Sequence, residues 1–156
     1  MRQILLLIIV FFSLEAIAET MLYIEKSNLR LYVVCDTDTI ASYPVCLGQN
    51  LGQKRKAGDH KTPEGNFSIS MIQNSSSWKH DFKDGKGPRK GAYGPWFFRL
   101  LTPMSTHIGI HGTCFPESIG SRESEGCIRM KNEDLIELHK YVYVGMKVNI
   151  SKDSIQ

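Results

Sequence analysis

The chain has 156 residues, 42% of them apolar, with 19 basic and 16 acidic side chains and a formal net charge of +3. That length supports one domain with a sizeable core. The mild positive balance suits attraction to an anionic polymer such as a cell wall, but falls short of the basic excess that marks a nucleic-acid binder.

Met1-Arg2 gives a positive start, Ile4 to Leu14 is an apolar run broken only by Ser13, and Ala16-Ile17-Ala18 fits a small-x-small cleavage site. This pattern predicts a secretory signal peptide over residues 1–18 and a mature domain over 19–156, with export to the periplasm or the cell wall. The run is shorter than the roughly 20 residues a stable bilayer anchor needs. No Cys follows it, which disfavours a lipoprotein. Removing Arg2 and Glu15 with the leader keeps the net charge at +3.

Strand signals come next. Met21–Glu25, Leu29–Val34 and Ile40–Leu47 are apolar stretches separated by Ser27-Asn28 and Asp36–Thr39, which predicts a meander of hairpins. Cys35 and Cys46 flank the last hairpin asymmetrically, so a bridge between them needs a bulge, and two free thiols are an equal alternative. Gly48–His60 reads as a loop, and Thr62–Phe67 as a turn with Pro63 presetting φ. Phe67–Met71 alternates as a strand. Asn74 to Tyr93 is a long polar excursion carrying Lys79, Lys83, Lys86, Arg89 and Lys90 among Trp78 and Phe82. It reads first as a solvated loop, and second as a lid or a grip for anionic glycan. Tyr93–Leu101 is aromatic and β-favouring.

In His107–His111 the residues alternate, which points Ile108 and Ile110 to the core and His107 and His111 to the other face. Gly112–Glu125 reads as a loop. Asn132 is placed to cap a helix with Leu135, Leu138 and Val142 on its apolar side and Gly145 as its stop. Met146–Ile150 closes the chain as a strand. The fold class is therefore mainly β, in one domain, with one helix near the C-terminus.

Two segments carry chemistry. Cys127 lies in Ser124-Glu125-Gly126-Cys127-Ile128-Arg129-Met130, between a loop and a helix signal. Glycine opens access to the thiol, and a nearby helix N-terminus and Arg129 favour the thiolate that acts as nucleophile. Backbone N–H groups of Gly126 and Cys127 are placed to hold an oxyanion. His111 ends its strand beside Gly112, where a general base has rigid backing and an exposed tip. Alone, a Cys of this kind is more often a buried structural thiol, and a strand-end His an ordinary surface residue. Sixteen positions separate the pair, joined by a loop able to fold back. The Cys and His spacings give no zinc pattern, and no cofactor or metal is implied. His60, His80 and His139 lie in loop or helix contexts without ligand spacing, and Cys114 is a loop thiol.

Ile110-His111-Gly112 followed by Ser124-x-Gly126-Cys127-Ile128-Arg129-Met130 resembles the signature of the L,D-transpeptidase (YkuD-type) catalytic domain. Thr62–Phe67 looks like that family's upstream turn, and Tyr93-Gly94-Pro95-Trp96 is similar to its aromatic segment. The resemblance spans Met21 to Ile150. It implies an L,D-transpeptidase-like β-sandwich or barrel and a cysteine acyl-enzyme formed on peptidoglycan tetrapeptide stems, with transfer to an amine of another stem, a protein or an amino acid. It also implies that the Gly112 carbonyl orients His111, that Arg129 and Ser124 meet substrate, and that carbapenems acylate Cys127 more readily than most penicillins do. The same acyl-enzyme could hydrolyse, as an L,D-carboxypeptidase. A non-catalytic wall-binding domain is the reading from another class. The chain departs from the family at Glu125, where many members have His. A carboxylate lacks imidazole's neutral donor and opposes the thiolate, so Glu125 is expected to face solvent or to pair with Arg122 or Arg129.

Overall fold

The computed structural model describes residues 19–103 and 107–153. The expected signal peptide, residues 1–18, lies outside the described residues. No described helix is long and apolar enough to cross a membrane.

The N-terminal strands are β1 (Thr20–Glu25), β2 (Arg30–Cys35), β3 (Asp38–Pro44) and the short β4 (Leu47–Gly48). Next come β5 (Gly65–Asn74), β6 (Lys79–His80), β7 (Arg89–Lys90), β8 (Trp96–Leu101) and β9 (Gly109–His111). A 3-10 turn (Pro116–Ser118), β10 (Arg122–Ser124), β11 (Ile128–Arg129), α1 (Asn132–Leu138) and β12 (Lys147–Ile150) complete the order. The main sheet has eight strands in the order β11-β9-β8-β5-β12-β1-β2-β3. Its two edges approach each other, because the chain leaving β3 passes alongside β11: Cys46 and Arg129 exchange both backbone N–H···O bonds at 2.9 Å. The sheet is thus curled almost into a barrel around one core.

Period-two alternation sets which residues enter that core. Leu22 and Ile24 of β1, Leu31 and Val33 of β2, Phe98 and Leu100 of β8, and Val148 and Ile150 of β12 are buried and belong to one cluster. Leu135 and Leu138 add the apolar side of α1. Each such side chain contributes about 1.5–3 kcal/mol by leaving water.

The frame is pinned by a charged knot. Lys26, fully buried, donates from Nζ to Gly52 O, Thr62 O and Glu64 Oε1, and pairs with Asp153 Oδ2 at 2.7 Å. Arg122 Nη2 reaches Asp153 Oδ1 at 2.6 Å and Lys26 O at 2.8 Å. The Thr62–Phe67 turn is therefore structural: Glu64 feeds this knot, and Thr62 Oγ1 accepts the Gly48 N–H at 2.8 Å.

Several sequence expectations change. The helix ends at Leu138 rather than running past Val142, because the following turn tightens to three-residue bonds, Lys140 N–H to Glu137 O and Tyr141 N–H to Leu138 O. Lys131, not Asn132, is the N-cap residue, and the Asn132 side chain instead accepts the Thr113 N–H at 3.0 Å. The third strand breaks at Pro44, and β4 pairs with β10 in a separate ladder. All four cysteines are free thiols. Cys46 leaves the β2–β3 hairpin for Arg129, so it never faces Cys35.

Candidate active site

Three neighbouring strands set the site. Phe97 of β8, His111 of β9 and Arg129 of β11 are direct register partners in sequence across the sheet. Their side chains therefore share one face. The Phe97 ring lies parallel to the His111 imidazole, centroids 5.4 Å apart and planes 10° apart, and Tyr93 meets the imidazole edge-on at 5.0 Å. These rings leave His111 only 3% exposed. The expected exposed tip is therefore overturned: alternation set the side of the strand correctly, but the aromatics of Tyr93–Phe97 cover it.

His111 Nδ1 lies 2.5 Å from Gly112 O. A carbonyl only accepts, so Nδ1 carries the hydrogen and Nε2 keeps its lone pair. Burial, with help from the charges of Arg129 and His80 and against the Gly112 bond, lowers the His111 pKa to about 3. The imidazole is neutral at pH 7. Gly112 has no room for a side chain: a Cβ there would sit 2.1 Å from Asn132 Oδ1 and 2.9 Å from Gly94 Cα.

Cys127 immediately precedes β11 and is half-buried. Its backbone is held by Ser124, whose Oγ donates to Cys127 O at 2.6 Å and accepts the Gly126 N–H at 3.0 Å. Gly126 has φ +127°, and a Cβ on it would meet Lys61 O at 2.7 Å. These contacts bear on two expected site groups. The Ser124 hydroxyl makes both bonds inside its own turn, at the lining of the cavity. The Gly126 N–H is occupied by that hydroxyl, whereas no acceptor among the described residues holds the Cys127 N–H. The helix expectation fails, because β11 separates Cys127 from α1. Burial raises the thiol above its ordinary pKa, opposed by a Gly109 backbone hydrogen bond, Arg129 and Lys54, and aided by Glu125. The resting pair is thus thiol and neutral imidazole. No hydrogen bond joins them among the described residues, and the thiol donates to His107 O at 3.4 Å.

Both groups open on one cavity of about 50 Å³, lined also by His80, Phe82, Tyr93, Ser124, Glu125 and Arg129. Arg129 is 8% exposed, yet no carboxylate among the described residues pairs with it. Its guanidinium carbon lies 5.8 Å from the Phe82 ring centre. His80 and Phe82 come from the long polar excursion. Its lysines Lys79, Lys83, Lys86 and Lys90 are exposed, as a solvated loop would have them, but the excursion is tied down: β6 and β7 pair, Phe82 packs edge-on against Phe115 at 5.1 Å, and Arg89 lies over the same ring at 4.9 Å. It forms a hairpin roof over the cavity. His80, Phe82, Tyr93 and Phe97 were not among the site residues expected from sequence. Their signal was the aromatic content of a stretch otherwise rich in lysine. Glu125 meets neither Arg122 nor Arg129. Its Oε1 lies 3.5 Å from His80 Nε2.

The curled sheet thus brings a thiol, a buried neutral imidazole and a guanidinium with no carboxylate partner among the described residues to one cavity. A family profile, YkuD, the L,D-transpeptidase catalytic domain, matches residues 19–150, and the chain belongs to that family. Among curated relatives, the chain is 30% identical over 132 residues to the putative L,D-transpeptidase YqjB of Bacillus subtilis, covering 84% of this chain and 70% of that one. It is 36% identical over 125 residues to the putative L,D-transpeptidase YkuD of Bacillus licheniformis, covering 80% and 59%. An L,D-transpeptidase from Mycobacterium smegmatis shares the fold with a TM-score of 0.64 at 18% identity, over 86% of this chain and 59% of that one. The helical cell shape determining protein Pgp2 of Campylobacter jejuni does so at 0.65 and 22%, over 88% and 49%. The chain thus spans about half to two thirds of the length of most of these proteins.

Proposed function

We propose that the protein is an exported L,D-transpeptidase that forms an acyl-enzyme on Cys127 from a peptidoglycan tetrapeptide stem. One observation carries this reading: the Cys127 thiol shares its cavity with an imidazole whose Nδ1–H is fixed on Gly112 O, leaving Nε2 as the acceptor.

Because the resting pair is neutral, proton transfer accompanies attack instead of preceding it. His111 Nε2 takes the thiol proton as sulfur adds to the carbonyl between the diamino acid and the terminal D-residue. The oxyanion is met by the Cys127 N–H, with Gly126 providing the space that brings this backbone close. The C–N bond breaks, and His111 returns the proton to the departing D-residue's amine. An amine acceptor then attacks the thioester and releases the thiol. The Arg129 guanidinium, which pairs with no carboxylate among the described residues, binds a stem carboxylate as the counter-charge that a buried cation requires. Ser124 positions the nucleophile's turn.

The test is to incubate the purified protein and a Cys127→Ala variant with tetrapeptide muropeptides and follow products by mass spectrometry. A Cys127-dependent dimer lacking one terminal D-residue supports transpeptidation. Tripeptide without dimer would make it an L,D-carboxypeptidase. No product in either sample would refute the reading for this substrate.

A further inference from the structure

Besides Arg129, the cavity lining carries a group of the reverse charge, Glu125. Glu125 is two residues before the thiol, and its side chain is 52% exposed. Its one contact among the described residues is His80 Nε2 at 3.5 Å, which leaves Oε2 open to solvent. His80 is itself fixed: its Nδ1 lies 2.9 Å from the Tyr93 hydroxyl, and its ring meets Phe82 edge-on at 4.6 Å. With Tyr93 donating to Nδ1, Nε2 carries the hydrogen and donates to Glu125. A roof residue thus aims a carboxylate at the mouth of the nucleophile's cavity.

That carboxylate works against the first half-reaction, since a like charge beside a thiol disfavours its ionisation. Once the thioester has formed, sulfur carries no charge to oppose. The second reactant is then an amine, which at neutral pH arrives as an ammonium. Resting on the proposed acyl transfer, we propose that Glu125, held by His80, is the specificity residue of the second half-reaction: it recruits a cationic primary amine, such as the side-chain amine of a diamino acid, as acceptor. The ammonium releases one proton through the Glu125–His80 pair to solvent. The amine nitrogen bonds to the acyl carbon, the C–S bond breaks, and the second amine proton passes through His111 to the sulfur. Amide and thiol are the products.

The purified protein, Glu125→Gln and Glu125→Asp would be compared with a tetrapeptide donor and two acceptors, a diamino acid and hydroxylamine, which is uncharged at pH 7. Acyl-enzyme on Cys127 is followed by intact mass, and the ratio of aminolysis to hydrolysis by product mass. Glu125→Gln is expected to raise the KM for the diamino acid about tenfold, the scale of one charge-assisted contact, with no matching change for hydroxylamine. Its acylation is expected to become faster, because a like charge is gone. Glu125→Asp is expected to restore most of the preference. An unchanged KM for the diamino acid in Glu125→Gln, with acylation intact, overturns the proposal. Absence of any acyl-enzyme in the unmodified protein would instead overturn the acyl-transfer reading beneath it.

Discussion

Burying a neutral His111 makes the protein acid-sensitive in a defined window. In the unfolded chain His111 titrates near its ordinary value of about 6.5, and in the fold its pKa falls to about 3. Between those values the unfolded state binds a proton that the folded state refuses, so stability rises with pH across the window and is lost as pH falls through it. The slope is about 1.4 kcal/mol per pH unit, and between pH 7 and pH 5 the loss is about 2 kcal/mol. For a domain of this size that lowers the urea midpoint by about 1 M. Working above pH 5 keeps the measurement clear of the carboxylates. The assay is urea denaturation followed by tryptophan fluorescence at pH 7, 6 and 5, for the protein and a His111→Gln variant. The variant differs in absolute stability, but its slope should flatten by the amount above. Parallel slopes in the two proteins would refute the buried neutral imidazole.

The same neutrality governs Cys127. Its alkylation by iodoacetamide, read on the Cys127 peptide, should keep rising past pH 9 without a low-pH plateau, because burial holds the thiol above its ordinary value; a plateau below pH 7 would reveal a preformed thiolate. Lys26→Met should cost about 3–5 kcal/mol in urea unfolding by leaving Glu64 and Asp153 without their cation, and a loss under 1 kcal/mol would show that the knot is relaxed by water. Intact mass should show a carbapenem adduct on Cys127 that is absent from Cys127→Ala, and no adduct would count against an accessible acylation site.

The main strands were legible because each buries one face, so Leu22, Ile24, Leu31 and Val33 announce themselves by alternation. Two-residue pairings such as β6–β7 and β4–β10 carry no period and were invisible. Cys127 and His111 were legible as a pair through flanking glycines and family likeness. Their electrostatics were not. The thiolate expectation leaned on a helix N-terminus that β11 displaces, and the exposed base on a surface that Tyr93 and Phe97 cover. Which side chain meets which across the sheet depends on register, and register is fixed by strands far apart in the chain. The bonds that the Ser124 hydroxyl makes have a local reason. A hydroxyl at the end of β10, three residues before Cys127, readily closes its own turn.

The roof poses the remaining physical question. A cavity of about 50 Å³ holds only a few water molecules, whereas ligand sites usually enclose about 300 Å³ or more. A shift of the β6–β7 hairpin would widen the approach of a stem peptide to Cys127. That hairpin is suited to shifting: its ladder is two residue pairs long, and Phe82 against Phe115 is a main apolar tie. Cutting that tie should open the site selectively for large reagents. In Phe82→Ala, alkylation of Cys127 by a bulky maleimide should accelerate about tenfold relative to the small iodoacetamide, the loss of roughly one aromatic contact and its buried area. An unchanged ratio would mean that the roof already opens freely, and that access is governed elsewhere than at Phe82.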